Sequence, residues 1–112
     1  MKLEVGMYVR TLNGIVKIDK IQDNVMKDTK GYLHYGDFVK ASYNIIDILE
    51  IGDYVNGQRI YYDEELDFLY VQSFDGDGEF YQESITKQSF IDNIKSVITH
   101  EQMEQMAYKV GE

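Results

Sequence analysis

Short apolar and alternating runs recur along the chain, punctuated by pairs of glycine, asparagine and aspartate, which is the pattern of strands joined by tight turns. Residues 7–11 and 15–21 read as a hairpin joined through Leu12-Asn13-Gly14, because Asn-Gly tolerates the positive φ angles of a type I′ turn. Over 15–21 the alternation is imperfect, as in a strongly twisted strand. Asp23-Asn24 and Thr29-Lys30-Gly31 mark turns around a short strand at 25–27, and 32–39 supplies another, interrupted near Gly36-Asp37. Beyond the midpoint, 59–62 and 66–73 are strands, Asp75-Gly76-Asp77-Gly78 is a turn, and 79–84 pairs back as the second arm of a hairpin. The end changes period. Thr99-His100-Glu101-Gln102 is a capping-box pattern and Met103 and Met106 lie three apart, which predicts a short helix over 100–107 before a strand-like Tyr108-Lys109-Val110.

The same pattern occurs twice. Leu3-Glu4-Val5-Gly6-Met7-Tyr8-Val9 returns as Leu49-Glu50-Ile51-Gly52-Asp53-Tyr54-Val55, and each copy is followed by Asn-Gly, at 13–14 and 56–57. A weaker echo sets Lys40-Ala41-Ser42-Tyr43 against Lys87-Gln88-Ser89-Phe90, each ahead of an isoleucine-rich stretch. Self-similarity of this kind marks a duplicated supersecondary unit. The expected fold is therefore mainly β: two tandem SH3-like small-barrel units with tight hairpins, 1–48 and 49–112, and a capping helix near 99–107. No linker composition separates the units, so they are expected to pack as one compact domain, with strand exchange and a homodimer left open.

The segments 5–11, 44–47, 52–57 and 98–103 carry a resemblance. Val5-Gly6-Met7-Tyr8-Val9-Arg10-Thr11, then Asn44-Ile45-Ile46-Asp47 leading into Gly52-Asp53-Tyr54-Val55-Asn56-Gly57, and the closing Ile98-Thr99-His100-Glu101-Gln102-Met103 resemble small proteins encoded by phages and prophages of Gram-positive bacteria. The resemblance implies a phage-borne origin and carries no agreed activity.

Charge divides the copies. Residues 1–40 hold seven Lys or Arg against five Asp or Glu, whereas 41–112 hold four against fifteen, so +2 faces −11 within a net −9. An acidic surface disfavours nucleic acid and anionic membrane and favours basic partners. The chain has no cysteine, which excludes disulfides, thiol nucleophiles and cysteine zinc sites. A charge and a glycine follow the first residues too soon for a secretory signal, and no run has transmembrane length, so a bacterial cytoplasm is expected.

The leading candidate site is the acidic stretch from 61 to 83. Asp63, Glu64, Glu65, Asp67, Asp75, Asp77, Glu79 and Glu83 lie there without a Lys or Arg, interleaved with aromatics that begin at Tyr61 and Tyr62. Carboxylates on a twisted ribbon can imitate phosphate spacing, and tyrosines serve as binding anchors. The plainer reading is a solvated face whose aromatics fill the core, and alternation at Phe68, Tyr70 and Gln72 supports it in part. Asp75-Gly76-Asp77-Gly78-Glu79 is too short for an EF-hand loop and reads as a hairpin turn. His34 and Asp37 can be written as a general-base pair, but no nucleophile turn accompanies them. His100 fits the first turn of the closing helix. Two histidines without cysteine do not suggest a metal centre, although carboxylates could complete one. Lys17, Lys20, Lys27, Lys30 and Lys40 are nearly cancelled by Asp19, Asp23, Asp28 and Asp37, which disfavours a phosphate-binding face. No catalytic residue, cofactor or metal is expected. The reading that follows is a non-enzymatic phage-type module binding a basic protein partner, in its sharp form an anti-CRISPR-like nucleic-acid mimic that inhibits a host or defence protein. The alternatives are a structural or assembly protein of a phage, and a small-ligand sponge or minor enzyme.

Overall fold

A computed structural model describes residues 2–35 and 38–106. The expected strand-like Tyr108-Lys109-Val110 and the aspartate expected beside His34, Asp37, lie outside those residues. The described chain is mainly β, with 42% strand against 16% helix. It falls into two compact units, Met1–Ile48 and Leu49–Glu112.

The first unit holds β1 (Tyr8–Thr11), β2 (Gly14–Gln22), β3 (Val25–Asp28), β4 (Leu33–His34) and β5 (Lys40–Ser42), in one antiparallel sheet of order β4-β3-β2-β1-β5, and ends in a 3-10 turn over Ile45–Ile48. The irregular alternation of β2 has a local cause: pairing steps from Ile18↔Asp28 to Lys20↔Lys27, so Asp19 is the extra residue of a bulge. Met7, Val9, Ile18, Met26 and Ala41 form the core, with Leu3, Val16 and Phe38 packed against it. Arg10 is also buried, and its Nη1 donates to Ile48 O at 2.9 Å, which ties β1 to the 3-10 turn.

The second unit holds β6 (Tyr54–Val55), β7 (Gln58–Arg59), β8 (Tyr61–Asp63), β9 (Phe68–Phe74), β10 (Phe80–Ser84), α1 (Gln88–Asp92), β11 (Val97–Ile98) and α2 (His100–Met106). Its strands make two three-stranded sheets, β10-β9-β8 and β11-β6-β7. Leu49, Val55, Ile60, Val71, Ile85 and Phe90 are its buried apolar side chains. The capping box is present. Thr99 N–H donates to Gln102 Oε1 at 2.9 Å and Gln102 N–H to Thr99 Oγ1 at 3.2 Å, which fixes where α2 begins.

The repeated segment builds the same arch in each unit. Gly6 and Gly52 lie at φ +93° and +90°, which side chains with a Cβ rarely adopt. Gly6 N–H donates to Ile18 O (2.9 Å) and Ile18 N–H to Met7 O (2.9 Å). In the second unit Gly52 N–H donates to Ile60 O (3.0 Å) and Ile60 N–H to Asp53 O (2.8 Å). Each arch then runs into a strand whose valine, Val9 or Val55, is fully buried. The return strands correspond as well, β5 pairing with β1 and β11 with β6.

Three expectations change. The described strands form open sheets and close no barrel. Asn56-Gly57 is the I′-like turn expected, at φ 51° and 80°, but in the first unit Asp23-Asn24 plays that part at 51° and 65°. Gly14 is already in β2, paired with Thr11, whose hydroxyl donates to Gly14 O and accepts the Asn13 N–H. The echo of 40–43 and 87–90 is not structural: Lys40–Ser42 is a strand, whereas Gln88–Asp92 is a helix held by buried Phe90.

Candidate functional site

The β8–β9–β10 sheet carries the expected site residues, and its register sorts them. Phe68, Tyr70, Gln72 and Phe74 alternate onto one face of β9, opposite Asp63, Tyr61, Gln82 and Phe80 of the neighbouring strands. That face is aromatic. Tyr61 stacks on Tyr70 at 5.8 Å between centroids, Phe68 lies 5.7 Å from Tyr70, and Phe74 meets Phe80 at 4.3 Å. The Arg59 guanidinium stands over the Tyr61 ring at 5.4 Å, a cation–π contact within the unit. The opposite face supplies the core through fully buried Val71 and through Ile85, whose N–H donates to Leu69 O. The two faces differ in what covers them. At the far end of the aromatic face Phe74 and Phe80 remain 61% and 66% exposed.

The carboxylates do not run along the ribbon. Seven of the eight collect in the two turns at opposite ends of β9, about 20 Å apart at the usual rise per residue, while Glu83 sits in β10 opposite Val71. β9 itself carries no charge. Within each turn some carboxylates are structural. Asp63 Oδ1 accepts the N–H groups of Glu65 and Leu66 at 3.0 and 2.9 Å, and Asp75 Oδ1 accepts those of Asp77 and Glu79 at 2.9 and 3.0 Å. These aspartates act as backbone acceptors that shape the loops. Asp67 accepts the Tyr62 hydroxyl, and Glu83 accepts that of Tyr81 at 3.3 Å. The bond to Asp67, then burial, then the charges of Asp67, Glu64 and Asp63 push the Tyr62 phenol above its ordinary range. Glu64, Glu65, Asp77 and Glu79 are the exposed carboxylates whose side chains serve neither turn.

Asp75 to Glu79 is a hairpin loop, closed by Asp75 N–H to Glu79 O (2.9 Å) and Gly78 N–H to Asp75 O (3.1 Å). The ligand atoms that do converge belong to Glu50, His100 and Glu101, within 4.8 Å of one another. Sequence reasoning missed this set because Glu50 and His100 lie far apart in the chain. Asp53 was missed as well. Fully buried, it accepts the N–H of Glu50 at 2.8 Å and that of His100 at 2.9 Å. A signal existed: Asp53 stands where the similar segment of the first unit has Met7, whose sulfur accepts the Glu4 N–H at 3.2 Å.

In the first unit His34 pairs with buried Asp28, Nε2 to Oδ2 at 2.8 Å. Asp28 Oδ1 also accepts the N–H groups of Lys30 and Tyr32. Burial alone would raise the Asp28 carboxyl, but the His34 bond and those two N–H groups together hold it below its ordinary value. The pair closes the β3–β4 turn, and no serine or threonine hydroxyl donates to the ring among the hydrogen bonds of the described residues. A groove of about 250 Å³ lined by Lys20, Gln22, Asp23, Val25, Lys27 and Leu33 is smaller than ordinary ligand pockets.

Among the described residues no helix is long and apolar enough to cross a membrane. No protein-family model, curated protein or solved structure matches this chain.

Proposed function

We propose that the chain is a non-enzymatic protein-binding module whose second unit docks a partner with a basic surface through the β9–β10 tip. The observation that carries this is the Phe74–Phe80 pair, largely exposed and set on a turn that its own aspartate rigidifies. Two exposed phenyl rings beside the carboxylates of Asp77 and Glu79 suit lysine and arginine side chains, whose stems pack on aromatics while their heads meet carboxylates. Aromatic anchors ringed by polar groups are what binding hot spots are made of. Covering the two rings is worth about 2–4 kcal/mol at the usual value for buried apolar surface. The separation of the two acidic turns by an uncharged strand favours docking at the tip over an even ladder of phosphate-like charges.

The likeness of the two arches supports reading the units as copies of one small strand-rich module of SH3-like type. The phage-like resemblance in turn supports a host or defence protein as the partner, with inhibition as the outcome. Affinity purification from host cells tests the docking site. A basic partner retained by the native chain should be lost with Phe74→Ser/Phe80→Ser and should weaken as salt rises from about 0.05 to about 0.5 M. Equal retention by the native chain and the double variant refutes the site.

A further inference from the structure

Outside the β8–β10 sheet, the second unit brings an imidazole and two carboxylates to one point. Glu50 lies at the entrance of the arch, and His100 and Glu101 open α2. His100 Nε2 stands 2.8 Å from Glu50 Oε1 and 3.7 Å from Glu101 Oε2. On the other side of the ring Nδ1 lies 3.7 Å from Glu104 Oε1. Two of the three ligand residues are pinned through their main chains, because the buried Asp53 carboxylate accepts the N–H of both Glu50 and His100. The base of the His100 side chain lies over Gly52, where an added Cβ would stand 3.4 Å from His100 Cβ. The first unit offers a control: there Glu4 accepts the hydroxyl of Tyr43, a phenol in place of an imidazole.

We propose that Glu50, His100 and Glu101 bind a divalent transition-metal ion of the zinc class, with a remaining position open to water. In a tetrahedral site with metal–ligand bonds of about 2.0–2.2 Å, neighbouring ligand atoms sit about 3.4 Å apart. The two distances from Nε2 bracket that spacing, and all three ligand atoms lie within 4.8 Å of one another, close enough for an ion to draw them together. The side chains of Glu50, His100 and Glu101 are 27%, 32% and 17% exposed, which leaves an entry path and a place for water. The nitrogen ligand sets the selectivity. Imidazole suits zinc, cobalt and nickel, whereas magnesium and calcium prefer oxygen alone. The ion would bridge the arch of the second unit to its closing helix.

The test uses the full chain and zinc chloride, read by calorimetry, melting temperature and histidine imidazole NMR. The expected result is one saturable site per chain and a rise in Tm of at least about 5 °C at a hundredfold excess over Kd. The His100 ring resonances should move while those of His34 stay, and magnesium or calcium should have no effect. His100→Ala and Glu101→Gln should each weaken binding at least about tenfold. Zinc binding that leaves the His100 resonances in place overturns the proposal in the native chain, whatever the variants do to folding. So does the absence of saturable binding, or binding that survives Glu101→Gln and His100→Ala unchanged.

Discussion

Asp53→Ala removes one side chain and two hydrogen bonds. Its carboxylate is fully buried and holds the N–H of Glu50 at 2.8 Å and that of His100 at 2.9 Å. A hydrogen bond to a charged group contributes about 1.5–3 kcal/mol net. Both donors belong to half-buried residues, so water partly replaces the lost acceptor and the lower end applies to each. Removing a buried charge also returns some desolvation energy. The expected loss is therefore about 2–3 kcal/mol, large against the 5–15 kcal/mol that holds a typical domain. With a urea m value of about 1.5 kcal/mol/M, the midpoint should fall by roughly 2 M. Asp53→Asn keeps one acceptor but turns an NH2 group towards the second donor, and should cost about 1–2 kcal/mol. Circular dichroism in urea measures the midpoints, and amide exchange at Glu50 and His100 locates the effect. A loss below about 0.5 kcal/mol for Asp53→Ala, or unchanged protection at those two amides, refutes the clamp.

Gly52→Ala places a Cβ at φ +90° and 3.4 Å from His100 Cβ, and should cost about 1–3 kcal/mol, read as a fall in Tm. Gly6→Ala meets the same backbone strain with more room, since its nearest neighbour is Tyr43 Cε1 at 3.8 Å, and should cost less. The Asp28 carboxyl titrates lower in the folded chain than its ordinary 3.8, so its contribution is complete above that pH and is lost as pH falls through the folded value. Urea midpoints measured from neutral pH downwards should fall more steeply for the native chain than for Asp28→Asn. Phe74→Ser and Phe80→Ser remove exposed rings, and each should change stability by less than about 1 kcal/mol while removing partner binding.

Local chemistry was legible in the sequence where a few neighbouring residues decide it. Asn56-Gly57 makes its turn because both residues accept positive φ, and Thr99 and Gln102 cap α2 because their spacing lets each reach the other's N–H. Asn13-Gly14 misled because Thr11 captures the backbone of that loop, so the glycine begins the strand. β11 is two residues long and depends on pairing with β6, which leaves no periodic signal of its own. The resemblance of 40–43 to 87–90 was one of residue types only, since Phe90 is buried as part of a helix. For the site, the residues were present but their grouping was not. Eight carboxylates lie in one stretch of sequence, and only the register shows that β9 separates seven of them into two turns while Glu83 stays in β10. Nothing local to His34 points to Asp28, which reaches the ring because β3 pairs with β4. The Glu50–His100 contact spans fifty residues and lies beyond any local pattern.

Hydrogen exchange of the chain alone and with a basic partner captured from host cells tests the proposed docking at the β9–β10 tip most directly. The account requires new protection across residues 73–82, centred on Phe74 and Phe80 and diminished by salt. Protection confined to the first unit, with 73–82 exchanging as in the free chain, contradicts it.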